Sequence, residues 1–502
     1  MAVRVDGHNQ PHSRDRADVQ GRRDDAESLL RRFRQASATL DGLIEQTHTP
    51  ADKSREAVQA RAEVRMGRLR RFLGAIGSPQ DRYPIVHVTG TSGKGSTSTA
   101  IASILTAAGY RTGLHTSPYL QVPTEKLQFD GTLIAPDAYA DRVDELMAAH
   151  ARWLAGGEEA LTYGEMWVAL TLHAFAEAAV DVAVIEVGAG GRYDLTNVIQ
   201  PVVSVVTSVG IDHTNTLGDT LAEIAWHKAG IIKAGAPAIS AVTDPEAAGI
   251  VAAEAAAVGV DLIGIPAHLE ILHTGPEGTS WIDPHTGQVR SIALGGRFQA
   301  RNGAAAVAAV RAAAPVLAGK TGLPIGEEAI VTGLRLARIP GRMELLRDRV
   351  PVLLDGAHNA EKVAALAADV PAFLPAVGGR RIAVLGALEA KQADEMIASL
   401  VPVIDAIVAT SPHVLAKEAR EADSIAETAR RVGFHGPVTI EPEPERAIEA
   451  ALTLAGPDDA ILVTGSLYLI GNVRGRWFGE EAIVLQQTPW PASPVIDRID
   501  EP

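Results

Sequence analysis

The sequence predicts an α/β protein with two domains, each built on a largely parallel sheet. From residue 85 onward, short apolar runs alternate with stretches of helical periodicity, which is typical of βα units. Apolar residues form 46% and aromatic residues only 4% of the 502-residue chain, and alanine-rich runs such as 304–319 favour helices packed closely on sheets. A Pro-Gly pair near 335–341 interrupts the pattern and predicts the boundary between the domains.

The first series predicts the larger, N-terminal domain. Its strand candidates near 181–188 and 201–210 are apolar on both faces, as expected for buried parallel strands. Spaced apolar residues among charges predict helices within 26–74, and weaker β signals at 259–295 predict an antiparallel annex. Further strands are expected at 85–89 and 112–117, and helices at 94–108, 136–152, 163–178, 219–229, 300–314 and 325–336.

A second βα series predicts a smaller, Rossmann-like C-terminal domain. Its expected strands lie within 350–359, 380–388, 405–412 and 459–466, with a helix at 359–370. Residues 1–24 are polar, with no apolar periodicity, and we expect disorder there. The predicted division is a disordered tail at 1–24, an ATP-binding domain at 25–338, a ligase domain at 339–487 and a tail at 488–502.

Composition excludes several classes of protein. The formal charge of −15 argues against electrostatic binding to nucleic acid or to an anionic membrane. The absence of cysteine excludes disulfides and cysteine-ligated metals. We find no apolar run of about 20 residues and no signal peptide, so we expect a cytoplasmic protein.

The run HVTGTSGKGST, residues 87–97, predicts a phosphate-binding loop between a strand and a helix. Its glycines (Gly90, Gly93 and Gly95) let backbone N–H groups face an anion, and Lys94 can reach the terminal phosphates. Only Thr91 and Ser92 separate the first two glycines, so the spacing departs from the standard G-x-x-x-x-G-K-[ST] pattern. Ser96 and Thr97 would cap the helix, and the alternative is a plain βα turn.

Polar residues at the ends of predicted strands form a second group. Glu186 ends an apolar strand, where an ionised carboxylate is costly unless a cation accompanies it. Ser117 follows another strand, where ligands meet open α/β sheets. Gly188 and Gly190 begin a dinucleotide fingerprint, but Tyr193 occupies the place of the third glycine, which disfavours nicotinamide binding.

Two further candidates lie in unusual surroundings. Lys228 stands in the apolar run WHKAGII, although burying an ammonium group is costly. Asp355 ends an apolar strand of the second domain, close to His358. Asp212 and His213 follow a buried strand, and such a pair is often only a turn.

Together these motifs resemble the folylpolyglutamate synthase/dihydrofolate synthase family, within the Mur-type amide ligases. The resemblance covers roughly 66–475 and rests on several motifs in one order. These motifs are LRRFLGAIGSPQDRYPIVHVTGTSGKGST, TSPYL, TEKLQFDG, TYGEMWVAL, IEVGAGGRYDLTN, SVGIDHTNTLGDTLAEIAWHKAGIIK, FQARN, IPGRME, DGAHN and VTGSLYLIG.

The resemblance implies an ATP-dependent ligase that adds L-glutamate to tetrahydrofolate, to dihydropteroate or to both, through an acyl phosphate. It implies Mg²⁺, with two ions expected, and leaves a K⁺ requirement open. It assigns the triphosphate to the glycine loop and Lys94, the metal to Ser117, Glu186 and His213, and a carbamylated side chain to Lys228. Asn302 and Arg342 would contact the nucleotide phosphates, and Asp355 and His358 would lie near the ribose and the incoming glutamate.

Two other functions are weighed against this one. A cell-wall Mur ligase would use the same loop logic, but GKGST in place of GKTT disfavours it. A nucleotide-dependent switch would not need the second domain and its charged residues. Ser92 and Tyr119 differ from the residues usual at these positions in the family, but neither change removes a proposed ligand. We expect the protein to be a monomer that acts on small molecules.

Overall fold

The computed structural model describes residues 13–45, 54–374, 378–389, 392–414 and 417–492. Two sheets of α/β type organise these residues, one in each half of the chain, which confirms the predicted fold class. The last helix before the second sheet ends at Leu336, and its first strand begins at Glu344. The boundary predicted at 338/339 lies within this connection.

The N-terminal sheet has the strand order β4-β3-β2-β5-β1-β6-β7-β8, in which β2, β5, β1, β6, β7 and β8 run parallel. The central strand β1 lies between β5 and β6, so the strand order reverses there. In open α/β sheets, such a reversal leaves a crevice beyond the carboxyl ends of the strands. The strands are β1 (Ile85–Thr89), β2 (Thr112–His115), β3 (Gln128–Phe129), β4 (Thr132–Leu133), β5 (Val182–Glu186), β6 (Val203–Val206), β7 (Ala238–Ser240) and β8 (Leu262–Gly264).

Helices cover both faces of this sheet, as parallel strands require. The one face carries the aromatic core around Phe72 and Phe175, and the other the alanine-rich core around α9. The helices are α1 (Ser13–Glu45), α2 (Arg55–Ala75), α3 (Lys94–Ala107), α4 (Pro136–Ala155), α5 (Tyr163–Glu177), α6 (Thr214–Leu217), α7 (Leu221–Ala229), α8 (Pro245–Ala257), α9 (Phe298–Thr321) and α10 (Glu327–Leu336).

The predicted antiparallel annex is present as a three-stranded sheet of β9 (Ile271–Gly275), β10 (Gly278–Ile282) and β11 (Val289–Ile292). Trp281 of β10 is completely buried against α9. In the described part of the chain, α9 is the helix long and apolar enough to suit a membrane span, but 61% of its apolar window is buried. Such burial is typical of a core helix.

The C-terminal sheet has the order β12-β13-β17-β14-β15-β16, with β12 antiparallel at one edge and the other strands parallel. The sequence predicted its four apolar strands but not the short edge strands β12 and β16, whose residues are only partly buried. Its strands are β12 (Glu344–Arg347), β13 (Pro351–Leu354), β14 (Arg381–Leu385), β15 (Ala406–Ala409), β16 (Val438–Ile440) and β17 (Ala460–Thr464). Its helices are α11 (Ala360–Phe373), α12 (Ala393–Leu400), α13 (Ala422–Arg431), α14 (Pro444–Leu454), α15 (Leu467–Arg474) and α16 (Glu480–Gln486).

Both ends of the described chain differ from expectation. Helix α1 begins at Ser13, inside the segment expected to be disordered, because a helix that is already packed through Phe33 and Leu40 extends at low cost into charged sequence. Residues 1–12 and 493–502 lie outside the described residues. Helix α16, assigned by the sequence to the C-terminal domain, places Ile483 and Val484 in the core of the N-terminal domain. A short amphipathic helix does not specify which core it joins.

Candidate active site between the two domains

The glycine loop joins the end of β1 to the start of α3. Gly93 has φ 83°, a left-handed conformation, and a Cβ there would overlap the Asn302 side-chain oxygen. The loop is anchored from below, since Thr91 N–H donates to the Ser208 carbonyl (3.0 Å) and Ser92 N–H to the Ser208 hydroxyl (2.8 Å). The N–H groups of the first turn of α3 have no partner within their own helix, which makes this end suited to an anion.

Side chains from the loop and from α9 meet above this helix end. The Lys94 ammonium donates back to the Gly90 carbonyl (3.0 Å). The Ser96 hydroxyl accepts from Gln299 Nε2 (3.2 Å), and Gln299 Oε1 accepts from Asn302 Nδ2 (2.8 Å). Gln299 and Asn302 share one face of α9, and this face brings the predicted nucleotide contact to the loop. Gly95 and Thr97 lie in the first turn of α3, with Thr97 fully buried.

Glu186 and Ser117 lie together beside the glycine loop. Glu186 ends β5, and its Oε2 accepts from the Ser117 backbone N–H (3.0 Å). Burial raises the pKa of Glu186, against the lowering effects of Lys94, Ser117 N–H and Arg342. A carboxylate held here in its ionised form therefore calls for a further cation.

Lys228 is a buried lysine on α7. Its side chain lies on α7 and is 2% exposed. Among the described ranges, no Asp or Glu oxygen lies within ion-pairing distance of its ammonium. Burial, followed by repulsion from Lys94, lowers the pKa of Lys228 well below its ordinary value, and the more distant Asp212 only partly opposes this shift. The neutral amine is thus strongly favoured relative to a free lysine.

His213 occupies a different position from the other predicted ligands. It has φ 55° at the start of α6, its side chain is exposed, and its N–H donates to Asp212 Oδ1 (2.9 Å). Asp212, which we did not single out as a site residue, reaches the second domain instead: Asn359 Nδ2 is 3.4 Å and Lys362 Nζ 3.6 Å from its Oδ2. The metal-ligand role of His213 stays a prediction.

The C-terminal domain presents Arg342, Asp355 and His358 to the same cleft. Asp355 follows β13 and accepts from the N–H groups of Met343 (2.9 Å) and Ala357 (2.8 Å). Burial raises the pKa of Asp355, and Arg342 opposes the rise. His358 Nδ1 lies 2.8 Å from the Gly356 carbonyl and must donate to it, which leaves Nε2 to accept from Lys362 Nζ (3.1 Å).

Comparison with known proteins matches both halves of the chain. Residues 88–310 match the Mur ligase middle domain, and residues 341–467 match the Mur ligase glutamate ligase domain. The dihydrofolate synthase/folylpolyglutamate synthase of Bacillus subtilis is 34% identical over 422 residues, which cover 82% of this chain and 94% of that protein. The chain belongs to the folylpolyglutamate synthase/dihydrofolate synthase family.

Solved structures of this family share the fold. Folylpolyglutamate synthase of Mycobacterium tuberculosis, complexed with ADP, superposes with a TM-score of 0.74 at 29% identity, covering 89% of this chain and 98% of that one. A bifunctional folylpolyglutamate synthase/dihydrofolate synthase with Mn, AMPPNP and L-glutamate bound superposes with a TM-score of 0.72 at 25% identity, covering 88% and 97%.

In this member of the folylpolyglutamate synthase/dihydrofolate synthase family, several residues near the cleft had escaped the sequence reasoning. Gln299 lies three residues before Asn302 on the same helix, so helical spacing could have identified it. Lys362 lies in the first turn of α11, whereas His358 precedes that helix, so helical spacing does not connect the two. Ser208 gave no comparable signal, because its role depends on which loop the fold brings to the glycine loop. Asp212 was noted after its strand, but its contact with the second domain depends on how the domains dock.

Proposed function

We propose that this chain is an ATP-dependent amide ligase that adds L-glutamate to tetrahydrofolate and its glutamylated forms, and also to dihydropteroate. One observation carries the proposal: the glycine loop and the buried Glu186 share a single cleft with the half-buried Arg342 and the buried Asp355 of the second domain. Lys94 and Arg342, from different domains, both act on the Glu186 carboxylate. A nucleotide-dependent switch would not need the charged residues of the second domain.

In the proposed reaction, a carboxylate oxygen of the acceptor attacks the γ-phosphorus of ATP and ADP leaves. The amine of glutamate then attacks the acyl carbon, the phosphate leaves with the C–O bonding pair, and the amine loses a proton. Gly90, Thr91, Gly93, Gly95, Ser96 and Thr97 form the phosphate cradle. Lys94 exchanges its bond to the Gly90 carbonyl for one to a phosphate oxygen, which stabilises the charge that develops there.

The residues around Glu186 fit a magnesium site. Mg²⁺ prefers carboxylate, hydroxyl and water oxygens, and Glu186 with Ser117 supplies the first two beside the phosphate cradle. We propose His213 as the third ligand, at a second ion. Bound Mg²⁺ would offset the negative charge of the phosphates, and the relative with Mn and AMPPNP bound supports a divalent metal here.

Lys228 is proposed to act as its carbamate. Neutral lysine amines react with CO₂, and the environment of Lys228 favours the neutral form. The carbamate would place an anion beside Lys94 where an ammonium is disfavoured, and it would remove the repulsion between the two lysines. It would also supply a carboxylate on the metal side of the cleft.

The second domain, together with Asn302 on α9 of the N-terminal domain, is proposed to bind the nucleotide and the incoming amino acid. Asn302 and Arg342 would contact phosphate oxygens, and Asp355 the ribose. His358, whose Nδ1–H is fixed by the Gly356 carbonyl, would help orient glutamate. The Asp212–Lys362 contact joins the domains beside this residue, so substrate binding and domain approach would be linked.

Turnover with each acceptor tests the proposal. Purified protein with ATP, Mg²⁺ and L-glutamate should release ADP in the presence of dihydropteroate and, separately, of tetrahydrofolate. Release with only one acceptor would restrict the function to that acceptor. Release with neither acceptor, or release that is independent of glutamate, would refute a folate ligase. Glu186→Gln should abolish glutamate-dependent release while ATP still binds.

A further inference from the structure

The loop that follows β2 belongs to both domains. It carries Ser117, whose N–H holds the Glu186 carboxylate (3.0 Å). Three residues later, Leu120 is buried in the core of the C-terminal domain, together with Val352 and Ile470. The loop therefore connects the candidate metal site directly to the interior of the other domain.

A single carboxylate makes this loop rigid. Glu125 is buried, and its oxygens accept from the N–H groups of Leu120 (2.6 Å), Gln121 (3.0 Å) and Val122 (3.2 Å). Three bonds to one side chain leave the backbone little freedom to bend between residues 120 and 122. Only Pro118 and Tyr119 separate Ser117 from this rigid segment, so a displacement of Leu120 is expected to move Ser117 as well.

Helix α15 of the C-terminal domain sets the position of Leu120. A Cβ at Gly471 would overlap the Leu120 carbonyl oxygen, so the loop backbone rests directly on the helix. Gly471 is an ordinary helical residue with no positive φ. Close approach, and not backbone conformation, is thus the reason for glycine at this place.

Arg474, at the end of the same helix, holds the loop from the other side. It is fully buried, donates to both Glu344 oxygens (3.0 and 2.8 Å), and donates from Nη1 to Gln121 Oε1 (2.6 Å). The Gln121 amide in turn donates to the Phe478 carbonyl (2.9 Å). Both ends of the Gln121 side chain are therefore bonded to the C-terminal domain.

We propose that Gly471, Arg474 and Gln121 are positioning residues that set Ser117 against Glu186, so that the C-terminal domain controls metal-dependent nucleotide binding in the N-terminal domain. The inference rests on the proposed magnesium site. The contacts of Gly471, Arg474 and Gln121 are buried, so water does not readily replace a contact that is lost. We therefore expect the loss of one contact to displace the loop. Their effect should appear in the metal-dependent part of nucleotide affinity.

Gly471→Ala is the sharpest test, with Gly475→Ala as the matched control. Alanine favours a helix over glycine, so neither change should weaken α15 itself. The added methyl overlaps the loop backbone at 471, whereas at 475 its nearest neighbour is an atom 3.8 Å away. Calorimetry should show that Mg²⁺ tightens ADP binding about tenfold less in Gly471→Ala than in wild type or Gly475→Ala, about 1.4 kcal/mol. ADP binding without Mg²⁺ should not change.

A second pair of variants separates positioning from folding. Gln121→Met removes both the acceptor for Arg474 and the donor to the Phe478 carbonyl and should behave like Gly471→Ala. Gln121→Glu keeps the acceptor and loses only the donor, so it should restore part of the magnesium effect. Urea unfolding provides the stability of each variant. Loss of stability with an unchanged magnesium effect in both Gly471→Ala and Gln121→Met would overturn the proposal.

Glu186→Gln distinguishes failure of the positioning role from failure of the proposed magnesium site. If Glu186→Gln removes the magnesium effect and Gly471→Ala does not, the positioning role is wrong and the metal site stands. If Glu186→Gln also leaves the effect unchanged, the metal site is wrong, and the positioning role falls with it.

Discussion

Replacing Lys228 by methionine should make the protein more stable and inactive. The side chain is 2% exposed and has no carboxylate partner within the described residues, so folding must either bury an ammonium or remove its proton, and both cost free energy. Replacing buried charged groups by apolar residues of similar volume often stabilises a protein by about 1–4 kcal/mol. We expect Lys228→Met to gain stability in this range near pH 6, in buffer freed of bicarbonate.

The gain should depend on pH in a defined direction. The folded-state pKa of Lys228 lies well below its unfolded value near 10.5. Unfolded chains therefore bind more protons above the folded pKa, and the stability of the wild type rises with pH there, by up to about 1.4 kcal/mol per pH unit. The advantage of Lys228→Met should accordingly be largest at low pH and shrink as pH rises.

Urea unfolding between pH 6 and pH 9 measures this difference, and Lys233→Met is its control. Burial also lowers the pKa of Lys233, to about 8, but its ammonium donates to the Asn197 carbonyl (2.9 Å) and to that of Ile199. Lys233→Met leaves those carbonyls unpaired and should cost about 1–3 kcal/mol. A loss of stability in Lys228→Met, or a gain that is the same at every pH, would refute the reasoning. Added bicarbonate should stabilise the wild type and leave Lys228→Met unchanged.

Three further changes test the glycine loop, a buried ion pair of the N-terminal domain and the nucleotide contact proposed for the second domain. Gly93→Ala places a side chain at φ 83° against Asn302, where the backbone alone costs about 1–2 kcal/mol, so ATP affinity measured by calorimetry should fall at least about tenfold; unaltered affinity would show that the loop is only a turn. Glu165→Gln keeps one of the two acceptors for Arg68 (2.8 and 2.7 Å) but removes the charge that pairs with this guanidinium, and it should cost about 3–5 kcal/mol in urea unfolding. A loss below about 1 kcal/mol would contradict that. Asp355→Asn should raise the KM for ATP by at least about tenfold, because the amide no longer balances Arg342. It should also cost about 1–3 kcal/mol of stability, because its NH2 group faces one of the two backbone N–H groups that the carboxylate accepts from. An unchanged KM would remove Asp355 from the nucleotide site.

The family and the fold class were predictable from the sequence, and both are confirmed. Both can be predicted from short stretches of sequence and their order along the chain: apolar runs of strand length, a glycine loop before a helix, and several motifs in a fixed order. Assigned roles for His213, Lys228 and the other site residues stay predictions, as do the cytoplasmic location and the monomeric state.

What the sequence alone determined is therefore the class of chemistry: a phosphate loop, a carboxylate at the end of a buried strand, and a lysine whose apolar neighbours predicted its burial. These properties depend on a residue and its immediate neighbours. The tertiary structure decided which separate segments meet, because such contacts depend on loop paths and domain docking. Only the fold brings Asp212 to Lys362, returns α16 to the N-terminal core, and seats Leu120 against Gly471.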